Sequence, residues 1–152
     1  MFMLHEQSLP PTDYIAKTLM SFPQAIYVHP NSKYCCVREI DELINAETVG
    51  EHRQEQWLFR GKHQSVQISV NNKYCFSSPE MQLTTVLSNM AIAKLPEYVV
   101  RDNRAYDQVV ELPLNTPPVA LQLSVMYQHR MLPAKTRTFL NFFQSEIGLL
   151  TQ

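Results

Sequence analysis

Ten prolines divide this chain of 152 residues, and they fall between its apolar runs. Proline has no N–H and a fixed φ, so it ends helices and stays out of central strands. The chain must therefore be assembled from many brief elements rather than a few long ones. Hydrophobic residues make up 45% and charged residues 18%. Such pieces can bury a real core, which excludes wholesale disorder. The length suits one domain of ordinary size, or two small lobes.

Several function classes drop out early. Only Gly50, Gly61 and Gly148 are glycines, which removes every glycine-rich phosphate cradle, because such loops need several positions without a Cβ. Thirteen basic against fourteen acidic side chains leave a net charge of -1. No global field exists to hold a polyanion, so nucleic-acid binding by this segment alone is not expected. No run of about 18 apolar residues is present to span a membrane. Met1 to Glu6 lacks the basic and then apolar pattern of a secretory signal. Cys35, Cys36 and Cys75 are odd in number, and adjacent cysteines rarely pair with each other. Reduced thiols in a cytoplasmic setting are the simplest reading.

Along the chain, Tyr14 to Leu19 fits strand or helix by periodicity, and Pro10, Pro11 and Pro23 favour a strand. Ala25 to Val28 is apolar and partly β-branched, as a buried strand is. His29 to Ser32 is a turn cluster. Val37, Ile40, Leu43 and Ile44 have helical spacing, which predicts a short amphipathic helix over 37–46. Trp57-Leu58-Phe59 precedes a polar turn. Val66, Ile68 and Val70 then alternate with polar residues in a half-exposed strand. Asn71-Asn72 reads as a turn, with another short strand over 74–76. Ser77-Ser78-Pro79-Glu80 is the clearest helix start: a serine caps, proline suits the first turn, and a carboxylate favours the positive end of the dipole. Met81 to Met90 is the predicted helix. A buried strand at 91–93, a short helix at 97–100, a loop at 101–108 and a strand at 109–112 follow. Val119 to Tyr127 is a further alternating strand. Pro133 opens a last helix whose apolar stripe is Phe139, Leu140, Phe142, Phe143 and Ile147. Strands alternating with helices indicate an α/β architecture.

The C-terminal half carries an ordered set of signals. Asn89 to Pro96 reads NMAIAKLP, a polar loop follows, then Val109 to Leu112, then LQLSVMYQHRMLPAKTRTFLNFF. This set closely resembles the effector-binding domain of LysR-type transcriptional regulators, in which a glycine-containing turn leads to a short strand ending in Leu-Pro. Residues 123–143 match the family's strand and proline-started helix almost position by position. Ala25 to Pro30, Ile40 to Leu43 and Trp57 resemble further family landmarks, so the likeness spans roughly residues 4 to 147. Two departures stand out. Asn89 and Ala91 occupy turn positions that are usually glycine. No winged helix-turn-helix, linker helix or first βαβ portion lies ahead of Met1, so the chain reads as the C-terminal portion of a regulator.

The resemblance implies an α/β, two-lobed, periplasmic-binding-protein-like effector domain with a ligand cleft between lobes joined by two crossing strands. Residues 23–108 would form a complete lobe II. Residues 1–22 and 109–152 would form the remaining part of an incomplete lobe I. It implies a small, often anionic metabolite as effector, no enzyme activity, no cofactor, and DNA contact only through a separate N-terminal domain. Uncovered strand edges seek partners, so residues 119–127 and the 133–147 helix are expected to be covered by a second copy of the chain, in a homodimer or higher oligomer.

Candidate effector-binding residues are Ser77, Ser78, Phe76 and His5. Ser77 and Ser78 offer hydroxyls and free N–H groups at a helix start, suited to an anion, although one serine has capping as its ordinary task. His5 falls where family members often carry a polar residue at the end of a first-lobe strand, where it would meet a carboxylate, or it is simply solvated. Cys35-Cys36 and the five histidines show no metal-ligand spacing, and no metal site is expected. There is no Gly-x-Ser-x-Gly elbow. The rival readings are an interaction or dominant-negative oligomerisation module without ligand, and a small α/β enzyme using Ser77 or a cysteine.

Overall fold

The computed structural model describes residues 2–6, 15–127, 138–143 and 145–146. The described residues divide into two compact units, one drawn from residues 1–22 and 121–152, the other from Pro23–Ala120. The chain passes from the first to the second after Phe22 and returns at Leu121.

The first unit is a three-stranded antiparallel sheet. β1 (Phe2–His5) and β2 (Ile15–Phe22) flank β9 (Leu121–Tyr127). A bulge between Thr18 and Met20 lets β2 follow β9 along its whole length. Residues 138–143 are helical. Of the predicted apolar stripe, Leu140 is buried, while Phe139 and Phe142 are 53% and 63% exposed. Phe143 lies with its ring centroid 5.4 Å from Phe2 and 6.1 Å from Phe139. Leu140 and Phe143 are one helical turn apart and share a face. Phe139 also shares the Phe143 face, one turn away, but it and Phe142 stay exposed, so the buried part of the stripe is narrower than predicted. The helix start at Pro133 and Ile147 lie outside the described residues.

The second unit is built around β3 (Gln24–Val28). It pairs antiparallel with β7 (Ala93–Pro96) on one side and β8 (Val110–Glu111) on the other. Alternate side chains enter different cores. Ala25 and Tyr27 pack with Leu83, Val86, Leu95 and Val100. Ile26 and Val28 pack with Leu43, Trp57, Phe59 and Ile68. This burial on both faces explains the unbroken apolar run in the sequence. A second sheet places β6 (Ser65–Cys75) between β4 (Thr48–Gly50), which runs parallel to it, and β5 (Gln54–Arg60), which is antiparallel. The two helices are α1 (Pro79–Leu87) and α2 (Glu97–Asp102).

Four expectations need correction. The helix predicted over 37–46 is a single 3-10 turn, Ile40–Leu43. Asn115 N–H bonds to the Arg38 carbonyl at 2.9 Å, and the Asn115 amide donates to Glu39, whose backbone is extended. Residues 38–39 are thus tied to the loop that follows Val110–Glu111, and within the turn Ile40 and Leu43, three apart as a 3-10 turn requires, are the buried residues. Asn71-Asn72 is not a turn: β6 runs through it without a break. The Asn72 amide, 4% exposed, accepts from the Thr48 hydroxyl at 2.7 Å and donates to the His52 carbonyl at 2.6 Å. These bonds satisfy a polar side chain that sequence pattern alone would place in water. Gly50 faces this amide so closely that any Cβ there would collide with it.

The third correction concerns α1, which stops at Leu87 rather than Met90. Asn89 then adopts a left-handed φ of 55°. Asparagine tolerates that region better than most residues, so it performs the turn that glycine usually makes. The fourth is the boundary at 109. Val110–Glu111 pairs with β3, and Val119 N–H bonds to the Leu58 carbonyl at 3.1 Å. Residues 109–120 therefore belong with the second unit.

Candidate functional site

Three of the four candidate residues meet at one turn. β6 ends at Cys75, and the Phe76 N–H bonds to the Gly50 carbonyl at 2.8 Å. The Gln82 amide reaches back from α1 to the Phe76 carbonyl at 2.8 Å. The turn is therefore fixed from both sides. Phe76 is half-buried and packs on the first core of the second unit. Ser78 is the N-cap: its hydroxyl accepts from the Met81 N–H at 3.4 Å and donates to the Glu80 carboxylate at 2.9 Å. That hydroxyl is committed to the helix. Ser77 is exposed, so the turn presents it to solvent with the start of α1 beside it. Tyr98, on α2, has its phenol pushed up by burial first and then by Asp102 and Glu80.

His5 belongs to the first unit. Its Nε2 is 2.8 Å from the Ser124 hydroxyl, and Thr18 Oγ1 is 3.3 Å from the same oxygen. Ser124 and Thr18 are direct cross-strand partners. Ser124 is 1% exposed, so this Ser–His contact offers no surface to a substrate. It ties β1 and β2 to the middle strand. Sequence reading singled out His5 and missed both hydroxyls, because a serine and a threonine on strands that also carry Lys17, Ser21 and Gln122 give no distinct signal.

A concavity not anticipated from sequence also lies in the second unit. It has a volume of about 240 Å³ and is walled by the loop 31–34, Glu47 and the turn 89–91. Lys33 lies over the Tyr34 ring at 5.2 Å. The Tyr34 hydroxyl accepts from the Glu47 N–H at 3.1 Å. Lys73 bonds the Glu47 carboxylate at 3.0 Å. Lys73, by hydrogen bond and charge, and then Lys33 hold the Glu47 carboxyl below the usual carboxylate range, and Glu47 raises the Lys73 ammonium in return. Among the described residues no group of three His, Cys, Asp or Glu is placed to hold a metal.

Comparison with known proteins points one way. The family model described as the LysR substrate binding domain matches residues 2–148. The full-length structure of the Vibrio cholerae virulence activator AphB, a member of the LTTR protein family, is similar with a TM-score of 0.68 and 15% identity over 93% of this chain. The chain spans 49% of that structure's length. The regulatory domain of the C227S variant of AphB from Vibrio vulnificus gives a TM-score of 0.69 and 12% identity, covering 94% of this chain and 75% of that one. The CrgA regulatory domain, from a LysR-type transcriptional regulator of Neisseria meningitidis, gives 0.61 and 19%, covering 95% and 74%. No curated protein sequence matches the chain.

Proposed function

We propose, on the premise that this chain belongs to the LysR substrate binding domain family, that it senses a small anionic metabolite and catalyses no reaction. The family is the regulatory, effector-binding portion of LysR-type regulators, and the α/β fold fits that type. The observation that carries the finer reading is the turn before α1. It is held rigid by Gln82 and Gly50, it exposes Ser77, and it leads into a helix whose first N–H groups favour negative charge. Ser77 donates to the anion, Phe76 gives its site an apolar wall, and Ser78 keeps the cap. Residues 23–120 act as lobe II, and residues 1–22 and 121–152 act as the remaining part of lobe I.

Such a sensor works by differential affinity: an effector shifts only an equilibrium between arrangements that bind it unequally. The chain acts in the cytoplasm, pairs with a second copy, and reaches DNA only through another domain. Among the described residues no helix is long and apolar enough to cross a membrane.

Isothermal titration against a panel of small mono- and dicarboxylates tests the reading. A saturable ligand that weakens at least tenfold in Ser77→Ala, with Ser78→Ala losing only helix stability, supports it. Equal affinity in both variants and the wild type removes the site. Light scattering tests pairing, and a strictly monomeric species refutes it. Tight, salt-sensitive duplex binding by this polypeptide would refute the separation from DNA.

A further inference from the structure

Cys35 and Cys36 have no part in the effector reading, yet their sulfurs lie 3.7 Å apart. Both thiols are free; Cys36 is exposed and Cys35 half-buried. The turn that carries them is held by backbone bonds from Cys35 N–H to the Ser32 carbonyl at 3.2 Å and from Val37 N–H to the Tyr34 carbonyl at 3.1 Å. The Ser32 hydroxyl also accepts from the Tyr34 N–H at 3.1 Å. The two thiols are therefore presented together by a fixed loop.

A direct bond between them is disfavoured. Adjacent Cα atoms across a trans peptide are about 3.8 Å apart, shorter than the roughly 4.4 Å at the low end for disulfides. The observed spacing instead suits a bridging atom. A centre with sulfur bonds of about 2.3 Å at a tetrahedral angle holds its two sulfurs about 3.8 Å apart. A linear two-coordinate ion with such bonds needs about 4.6 Å. A four-coordinate ion needs two further ligands, and no group of three His, Cys, Asp or Glu among the described residues is placed to hold one. A trivalent arsenical avoids both problems. It is pyramidal with a sulfur–arsenic–sulfur angle somewhat below tetrahedral, so the two sulfurs need only draw in by a few tenths of an ångström from 3.7 Å, and it keeps its own third substituent.

We propose that Cys35 and Cys36 form a dithiol capture site for trivalent arsenicals. The step is a condensation without redox change. An arsenoxide, R–As=O, loses its oxygen; two S–H bonds break, two As–S bonds form, and both protons leave with the oxygen as water. The Cys35 thiol is pushed up chiefly by its hydrogen bond to Cys36, then by burial, so it still carries the proton that the condensation releases. Once one sulfur has reacted, the other is already at hand, and closing the chelate is intramolecular. The neighbouring residues Ser32, Lys33 and Tyr34 line the 240 Å³ concavity, so capture marks a loop of the sensor's second unit.

The probe is phenylarsine oxide, added to the full chain and followed by excess 2-mercaptoethanol. The expected result is one phenylarsenic unit by intact mass, loss of two titratable thiols, and release by dithiothreitol. Cys75→Ser should behave as the wild type; Cys35→Ser and Cys36→Ser should retain no adduct against the monothiol. Trypsin cleaves after Lys33 and Arg38, so the adduct should sit on the peptide 34–38, YCCVR. This mapping needs no variant to fold. An adduct stripped from the wild type by the monothiol, retained in Cys36→Ser, or mapped to Cys75 would overturn the assignment.

Discussion

Tyr27 offers the sharpest energetic test of the fold. It is 2% exposed and sits on β3 directly between Ala93 and Glu111. Its hydroxyl has no hydrogen-bond partner among the described residues. Burial first, then Glu97, Glu111 and Tyr106, push its ionisation far above the usual phenol range. A hydroxyl withdrawn from water without a partner costs about 1–3 kcal/mol. The ring, however, fills the first core beside Val49, Val86 and Val100. Tyr27→Phe removes the unpaired oxygen and keeps those contacts, so it should stabilise the protein by about 1–3 kcal/mol. For a chain of this size that raises the melting temperature by roughly 2–4 °C per kcal/mol. Urea unfolding followed by circular dichroism gives the free energy, and calorimetry gives the midpoint. Tyr27→Leu is the control: it loses ring packing and should be destabilised. A lower midpoint for Tyr27→Phe would refute the reasoning, because it would mean that a buried water satisfies the hydroxyl.

Three further outcomes follow from the same structure. Asn72→Ala strands the Thr48 hydroxyl and the His52 carbonyl and should cost about 1–3 kcal/mol in urea unfolding. Asn89→Ala forces a Cβ residue without a compensating side chain into the left-handed region and should cost about 1–2 kcal/mol, whereas Asn89→Gly should be near neutral in the same assay. Glu111 has its carboxyl raised by desolvation and then by Glu97. The folded state thus binds its proton more tightly, so stability falls as pH rises from the ordinary carboxylate value through the raised one. Glu111→Gln should flatten that part of the stability–pH curve and gain no more than about 0.5 kcal/mol at neutral pH.

What was legible in the sequence was local. The start of α1 could be read from Ser78, Pro79 and Glu80 because capping, φ and dipole all act within one turn. β3 could be read because burial on both faces leaves an unbroken apolar run. What failed was decided by distant contacts. The amphipathic pattern at 37–46 is the same for a helix and for a 3-10 turn, and Asn115 decides between them from the far side of the sequence. Asn71-Asn72 looks like a turn until Thr48 and His52 supply partners for the second amide. The candidate site divides along the same line. The turn at 76–78 was visible from cap chemistry. The contact of His5 with Ser124 was not, because it needs β1 and β9 to pair across more than a hundred residues.

On the proposed reading, β3 would give ligand contacts in the second unit mechanical consequences. Its odd-numbered residues Ala25 and Tyr27 belong to the core that α1 covers, and its even-numbered residues Ile26 and Val28 to the core around Trp57 and Phe59. Close-packed cores shift between discrete arrangements rather than deform smoothly. A ligand that draws on the start of α1 must repack Leu83 and Val86, which are core neighbours of Ala25 and Tyr27. The loop that walls the concavity leaves β3 directly after Val28. Both features are thus joined to one doubly buried strand, so substitutions that leave a cavity in either core should weaken effector response along with stability. Val86→Ala tests this through the first core and Trp57→Phe through the second. A response unchanged in both variants, once their lower stability is matched by temperature, would show that β3 transmits nothing.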